Sequence, residues 1–257
     1  MIASAETARA LIPKFRDYLA NESRHAISTL PTLGPAGVEG TVYSFENDLA
    51  IKHYHCTILT GGPQWNEEVV TRSQQAMDAG VNFVPILEVE RQPIRNKNGS
   101  AQDSLLTYMP VLHGETLKSC VEMRSDTAEI NDFAPLATMG SVGFRSYFGD
   151  IRTLASLGIH PDFARPTNFR FSRPGLGILD WLLWHRISNP NEFETLNKDA
   201  VSRILGNNIE TASMHEMKPI MRELYKEILG NMGNALAETP NSHLANKVLE
   251  NARELIM

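Results

Sequence analysis

A chain of 257 residues, 42% hydrophobic and 21% charged, is long enough for one two-lobed domain or two small ones and too apolar to be disordered. Its net charge of −6 argues against an extended nucleic-acid surface, and two cysteines, Cys56 and Cys120, are too few for a disulfide framework or a cysteine-rich zinc site. A reduced cytosolic compartment is the natural expectation, because no stretch reaches the roughly 18 apolar residues of a membrane span and the N-terminus lacks the order of a secretory leader.

Leu11, Ile12, Phe15 and Leu19 recur at helical spacing within residues 4–20, with Pro13 starting or kinking that helix. A polar stretch, 21–32, leads to Leu33-Gly34-Pro35-Ala36-Gly37-Val38-Glu39-Gly40, and then to strand-like Thr41–Phe45 and Leu49–Lys52 joined by the turn former Glu46-Asn47-Asp48. Trp65–Met77 reads as a helix. Phe83–Val89 and Ser104–Tyr108 read as strands around a polar, exposed loop, Arg91–Gln102. The order over the first 110 residues is β-β-β-α-β-β. After Met109-Pro110 the pattern turns helical, with helices expected near 130–158, 197–205, 219–230 and 242–256. The last two carry amphipathic sets, Ile220, Met221, Leu224, Tyr225, Ile228 and then Leu244, Val248, Ala252, Leu255. Pro219 and Ser242 stand where helix starts favour them.

Several groups in this order carry chemistry. Gly37 and Gly40 let a backbone turn approach phosphate oxygens closely, since no Cβ intervenes. Lys52 ends an apolar strand; such a lysine either faces solvent or offers a point charge to an anion. Further on, His160-Pro161-Asp162-Phe163-Ala164-Arg165-Pro166-Thr167-Asn168 combines a carboxylate with an amide oxygen. Leu179-Asp180-Trp181 follows, with Asp180 twelve residues after Asn168. Asp180 could be a metal ligand or the cap of a following helix. No His-Glu-x-x-His arrangement occurs among the eight histidines.

Taken together, these residues resemble a protein-kinase-like phosphotransferase over about residues 30–185, and the compactness resembles the minimal kinase effectors that pathogenic bacteria inject into host cells. The resemblance implies an α+β, two-lobed protein-kinase-like fold. Residues 30–108 would form a small β-rich N-lobe and 109–257 a reduced, mainly helical C-lobe, with 1–29 a helical extension. It implies ATP and magnesium as cofactors, with ATP between the lobes. Gly34, Gly37 and Gly40 would cradle its phosphates, Val42 cover the adenine, and Lys52 reach the α- and β-phosphates. Glu67 or Glu68 would pair with Lys52, although Gln74 and Gln75 fall nearer the family's spacing. The Thr107 carbonyl and Met109 amide would bond the adenine edge, with Leu106 behind the pocket. Asn168 and Asp180 would hold magnesium, and Asp162 would orient the acceptor hydroxyl with Arg165 beside it.

The chain departs from the family in one respect. Five residues separate Asp162 from Asn168 where four are usual, so strict spacing puts Phe163 in the catalytic position unless a one-residue bulge precedes Ala164. The expected activity is phosphoryl transfer to protein serine or threonine by a monomer, in the cytoplasm or, by a route independent of a signal peptide, in a host cytoplasm. A host protein is a candidate substrate; nucleic acid is not. A pseudokinase and a small-molecule kinase of the aminoglycoside type are the alternatives. No Ala-Pro-Glu occurs in the 77 residues beyond Asp180, which disfavours control by activation-loop phosphorylation.

Overall fold

The computed structural model describes residues 4–21, 27–33, 40–54, 63–95, 101–117, 130–165, 168–171, 175–205 and 219–255. Gly34 and Gly37 lie outside them. The chain divides into two compact units, 1–80 with 84–113, and 81–83 with 114–257. The α+β class is as expected: the first unit carries a four-stranded antiparallel sheet and the second is mainly helical.

In the first unit, helix α1 (Ala5–Asn21) precedes strands β1 (Gly40–Phe45) and β2 (Leu49–Tyr54), helix α2 (Pro63–Asp78), and strands β3 (Glu88–Arg95) and β4 (Ala101–Pro110). The sheet order is β1-β2-β4-β3. Before β1, Thr32 bridges Tyr43 antiparallel, with Ser44 N donating to Pro31 O and Leu33 N to Val42 O, so the arms flanking the glycine-rich stretch pair as a hairpin. Glu46 and Asn47, both at positive φ, turn β1 into β2.

Alternation along the strands gives the sheet two distinct faces. Tyr43, Ile51, Leu106 and Tyr108 face α1, whose Ala8, Leu11, Ile12 and Phe15 are buried with them in one core. Phe15 meets Phe45 and Tyr108 edge-on at 5.4 and 5.9 Å. Helix α1 is therefore part of the first unit. The opposite face carries Gly40, Val42, Lys52, Thr107 and Met109.

The second unit contains α3 (Ile130–Ser156, kinked at Gly140), four three-residue strands, and helices α4 (Pro190–Leu205), α5 (Pro219–Ala237) and α6 (His243–Glu254). Strands β5 (Ile159–Pro161) and β8 (Trp181–Leu183) pair with each other, as do β6 (Phe169–Phe171) and β7 (Leu176–Ile178). Helix α3 packs along α5, and α4 along α6. Tyr147, Phe148, Ile151 and Leu154 are fully buried on α3, as are Ile228, Leu229, Met232 and Leu236 on α5.

Three sequence expectations shift. The Phe83–Val89 strand begins only at Glu88, Phe83 making a single bridge to Ile178, and Arg91–Arg95, expected as loop, continues β3. The polar look of β3 has a structural cause: Glu88 and Glu90 share the α1 face and are neutralised there by Arg16. Helix α4 starts seven residues before the expected 197, where the Asn189 side chain caps the Asn191 amide at 3.0 Å.

One buried acid gives a stability test within the second unit. Burial pushes the Asp150 carboxyl up to about 6, only partly opposed by the Asn82 amide 3.4 Å away. The folded value exceeds the unfolded one, so folding favours the protonated acid, and stability declines as pH rises toward about 6. Asp150→Asn should raise the melting temperature at about pH 7.5 and give little gain near pH 4, where the parent acid is largely protonated when folded.

Candidate functional site

Helix α3 delivers the polypeptide to the centre of the second unit. Its last turn closes with Leu157 N and Gly158 N bonded to Leu154 O and Ala155 O, and Gly158 takes φ 76°, which a side chain would oppose. Strand β5 follows at once and ends at Pro161, which sets Asp162 at the head of the next turn. Asp180 stands immediately before β8, two residues after β7.

Two backbone hydrogen bonds draw these segments together. Asp162 N donates to Asp180 O at 2.9 Å, and Leu179 N to Asn168 O at 2.7 Å. Asp162, Asn168 and Asp180, which the sequence singled out for chemistry, thus form one cluster. The Asn168 amide nitrogen donates to the Asp162 carboxylate Oδ2 at 2.8 Å and to the Asp162 carbonyl at 3.1 Å. Both partners are pure acceptors, so the NH2 end of Asn168 must face them and its carbonyl oxygen must point away.

The extra residue between Asp162 and Asn168 is absorbed locally. Asp162 Oδ1 accepts the Ala164 amide at 2.8 Å, an Asx turn that folds the added residue back. Phe163, which strict spacing would nominate, stacks on Phe169 with centroids 5.7 Å apart and planes 18° apart. It is an anchor for the loop, with no group to handle a proton. Arg165 is exposed, and its carbonyl accepts the Asn168 amide at 3.1 Å.

The Asp180 turn is held from behind. Trp181 is 8% exposed and lies 6.1 Å from Phe83, while Ile178 N donates to Asn82 O at 3.1 Å. Asp180 Oδ1 accepts the Trp181 amide at 3.0 Å, which orients the carboxylate. An aspartate and an asparagine carbonyl are hard oxygen donors. They suit magnesium, which binds through one or two carboxylates together with substrate phosphates and water. His160, two residues before Asp162, has its Nε2 3.0 Å from His185 O and so braces the strand pair.

In the first unit, Val42, Lys52 and Thr107 form a cross-strand row on the sheet face opposite α1. The Lys52 ammonium lies 5.1 Å from the centre of the Tyr54 ring, two residues along the same face. Gly40 opposes Tyr54, where any Cβ would run into the His53 carbonyl, so close strand approach alone requires glycine here. Glu68 is bound by Arg72 one turn later on α2, and Glu67 is exposed.

The register of β4 changes the expected roles of Thr107 and Met109. The Tyr108 carbonyl accepts Leu87 N at 2.8 Å, toward β3. Alternation therefore turns the backbone groups of Thr107 and Met109 toward β2, and Val111 N continues that ladder to Asp48 O at 3.0 Å. Their backbone groups belong to the sheet. What they present to the Lys52 face is side chain, including the fully buried Thr107 hydroxyl, which has no hydrogen-bond partner among the described residues. The sequence missed this hydroxyl, because only the pairing of Lys52 with Thr107 fixes which side chains of β4 share the lysine's face. Leu106, expected at the back of the pocket, faces α1 instead.

No protein-family model and no curated protein matches the sequence. Among solved structures the chain is similar to WbdD at 15% identity and a TM-score of 0.42, over 88% of this chain and 50% of that one. It thus spans about half the length of WbdD. It is also similar to the kinase domain of Mycobacterium tuberculosis PknI in two variant forms. One matches at 13% identity and TM-score 0.42 over 86% of this chain and 93% of that one. The other matches at 12% and 0.41 over 88% and 94%. No helix among the described residues is long and apolar enough to cross a membrane.

Proposed function

We propose that this protein is a magnesium-dependent phosphotransferase that moves the γ-phosphoryl group of ATP to an alcohol, a serine or threonine hydroxyl of a protein. The observation that carries this reading is the double hold of Asn168 on Asp162, 2.8 Å to the carboxylate and 3.1 Å to the carbonyl. It fixes a carboxylate and turns an amide oxygen away from it, on a segment bonded through the backbone to the one that carries Asp180. Phosphoryl transfer asks for those groups: one acid to orient the attacking hydroxyl, and hard oxygen ligands for the cation.

In this reading Asn168 and Asp180 hold magnesium, which when bound neutralises phosphate charge. Asp162 accepts a hydrogen bond from the acceptor hydroxyl and takes its proton as the oxygen attacks the γ-phosphorus and the bond from that phosphorus to the β-phosphate's bridging oxygen breaks, releasing ADP. Lys52 offers its ammonium to the nucleotide phosphates, and Val42 lines the base. Arg165, exposed at the loop, is available to the transferred phosphoryl group. Positioning and electrostatics supply most of the rate, so the loop's rigidity matters as much as its acid.

Asp162→Asn tests the assignment of the acid. It should leave affinity for magnesium-ATP nearly unchanged and cut transfer by roughly a hundredfold or more, the usual range for losing a general base. Transfer at the parent's rate would place the base elsewhere. Unchanged affinity with no transfer by the parent itself would make the protein a nucleotide-binding pseudokinase.

A further inference from the structure

The underside of the sheet holds a polar network that the proposed chemistry does not use. Arg16, on α1, reaches two β3 carboxylates: its Nε donates to Glu90 Oε2 at 2.9 Å, one Nη donates to the same oxygen at 2.6 Å, and that nitrogen also bonds Glu88. Glu90 in turn accepts the Tyr108 hydroxyl and, at 2.8 Å, the Gln92 amide. The Arg16 guanidinium lies 5.9 Å from the centre of the Tyr108 ring. A second tie runs from Arg9, two turns earlier on α1, to Gln74 Oε1 of α2 at 2.6 Å. One helix thereby grips both the sheet and α2.

Glu88 and Glu90 are two residues apart on one strand, so they share a face and repel each other. Arg16 is the cation that makes the pair tolerable. Its planar fork reaches both, which a single ammonium does less well. The network ends on Tyr108, a fully buried residue of β4 whose neighbours Thr107 and Met109 face the opposite side, the side of Lys52. Close-packed strands do not deform independently, so a shift of Tyr108 is passed to the residues on either side.

We propose that α1 is a built-in latch for the nucleotide face, and that Arg16 is its positioning residue. Seated on Glu88 and Glu90, it fixes β3 and β4 in the register that Thr107, Met109 and Lys52 need to receive ATP. This rests on the phosphotransferase reading. It gives the enzyme control of nucleotide affinity through its own N-terminal helix.

The test is made on the full chain, with a non-hydrolysable ATP analogue and magnesium for affinity and with ATP for turnover. Arg16→Gln should weaken analogue binding about tenfold while kcat at saturating ATP stays within about twofold, and Arg16→Lys should recover only part of the loss. Glu90→Gln, which removes the charge that Arg16 and Tyr108 share, should weaken binding in the same direction and serves if Arg16→Gln folds poorly. Parental affinity in the Arg16 and Glu90 variants, with only a lower melting temperature, would overturn the proposal and make the clamp purely structural. Equal losses in affinity and kcat that Arg16→Lys does not repair would overturn it too. A parent chain that binds no nucleotide would instead sink the phosphotransferase reading, and the latch with it.

Discussion

Asp180→Ala is expected to abolish magnesium-dependent transfer, and magnesium-ATP should no longer raise the melting temperature as it does in the parent. Removing the carboxylate deletes the only charged ligand proposed for the cation, and an amide oxygen alone binds magnesium weakly. The fold should survive, because Trp181 stays anchored on Phe83 and the Asp180 carbonyl still accepts the Asp162 amide. A ligand that binds only the folded state stabilises it in proportion to RT ln(1 + [L]/Kd), so the loss is read directly from melting curves with and without magnesium-ATP. Full stabilisation of the variant by magnesium-ATP would show that Asp180 only shapes the turn before β8.

Lys52→Met is expected to slow transfer about a thousandfold, equivalent to about 4 kcal/mol of transition-state stabilisation. Methionine keeps much of the side chain's length and apolar contact but offers no charge to the phosphates. Because Lys52 sits in the middle of a paired strand, opposite Val42 and Thr107, the sheet should form unchanged, which circular dichroism would verify. Wild-type turnover in this variant would remove Lys52 from the site and return it to its simpler role beside Tyr54.

Residues close in sequence to the chemistry were the most legible. Asp162, Asn168 and Asp180 could be singled out because their order and spacing resemble the catalytic loop and metal-binding strand of protein kinases, and backbone hydrogen bonds join the segments that carry them. The long helices were legible from their periodicity, α6 within two residues at its C-terminal end. The α1 helix was legible too, but not its seat on the sheet, because only the fold tells which apolar stripe meets which. Strand β3 was misjudged at both ends: Arg91, Gln92, Pro93 and Arg95 look like loop residues until their pairing with β4 is known, and the apolar run from Phe83 looks like strand although pairing starts only at Glu88. Strands β5 to β8 are three residues each, too short for alternation to register.

The roles of Thr107 and Met109 turned on register. Backbone groups on an inner strand alternate between its neighbours, and no sequence pattern distinguishes one phase from the other without a fixed pair. Once Lys52 is seen opposite Thr107, the hydroxyl and not the carbonyl faces the lysine's side. Glu68 bonds Arg72 one turn later on α2, an i,i+4 pair that was visible in the sequence.

The central claim is that the Asp162–Asn168–Asp180 cluster performs phosphoryl transfer, and γ-labelled ATP tests it most directly. The full chain is incubated with labelled ATP, a generic protein acceptor and either magnesium or a chelator, beside Asp162→Asn. The account predicts label on serine or threonine of the acceptor, only with magnesium, and at least about a hundredfold less label with the variant. Magnesium-ATP binding by the parent without label on any acceptor, or equal labelling by parent and variant, would contradict it.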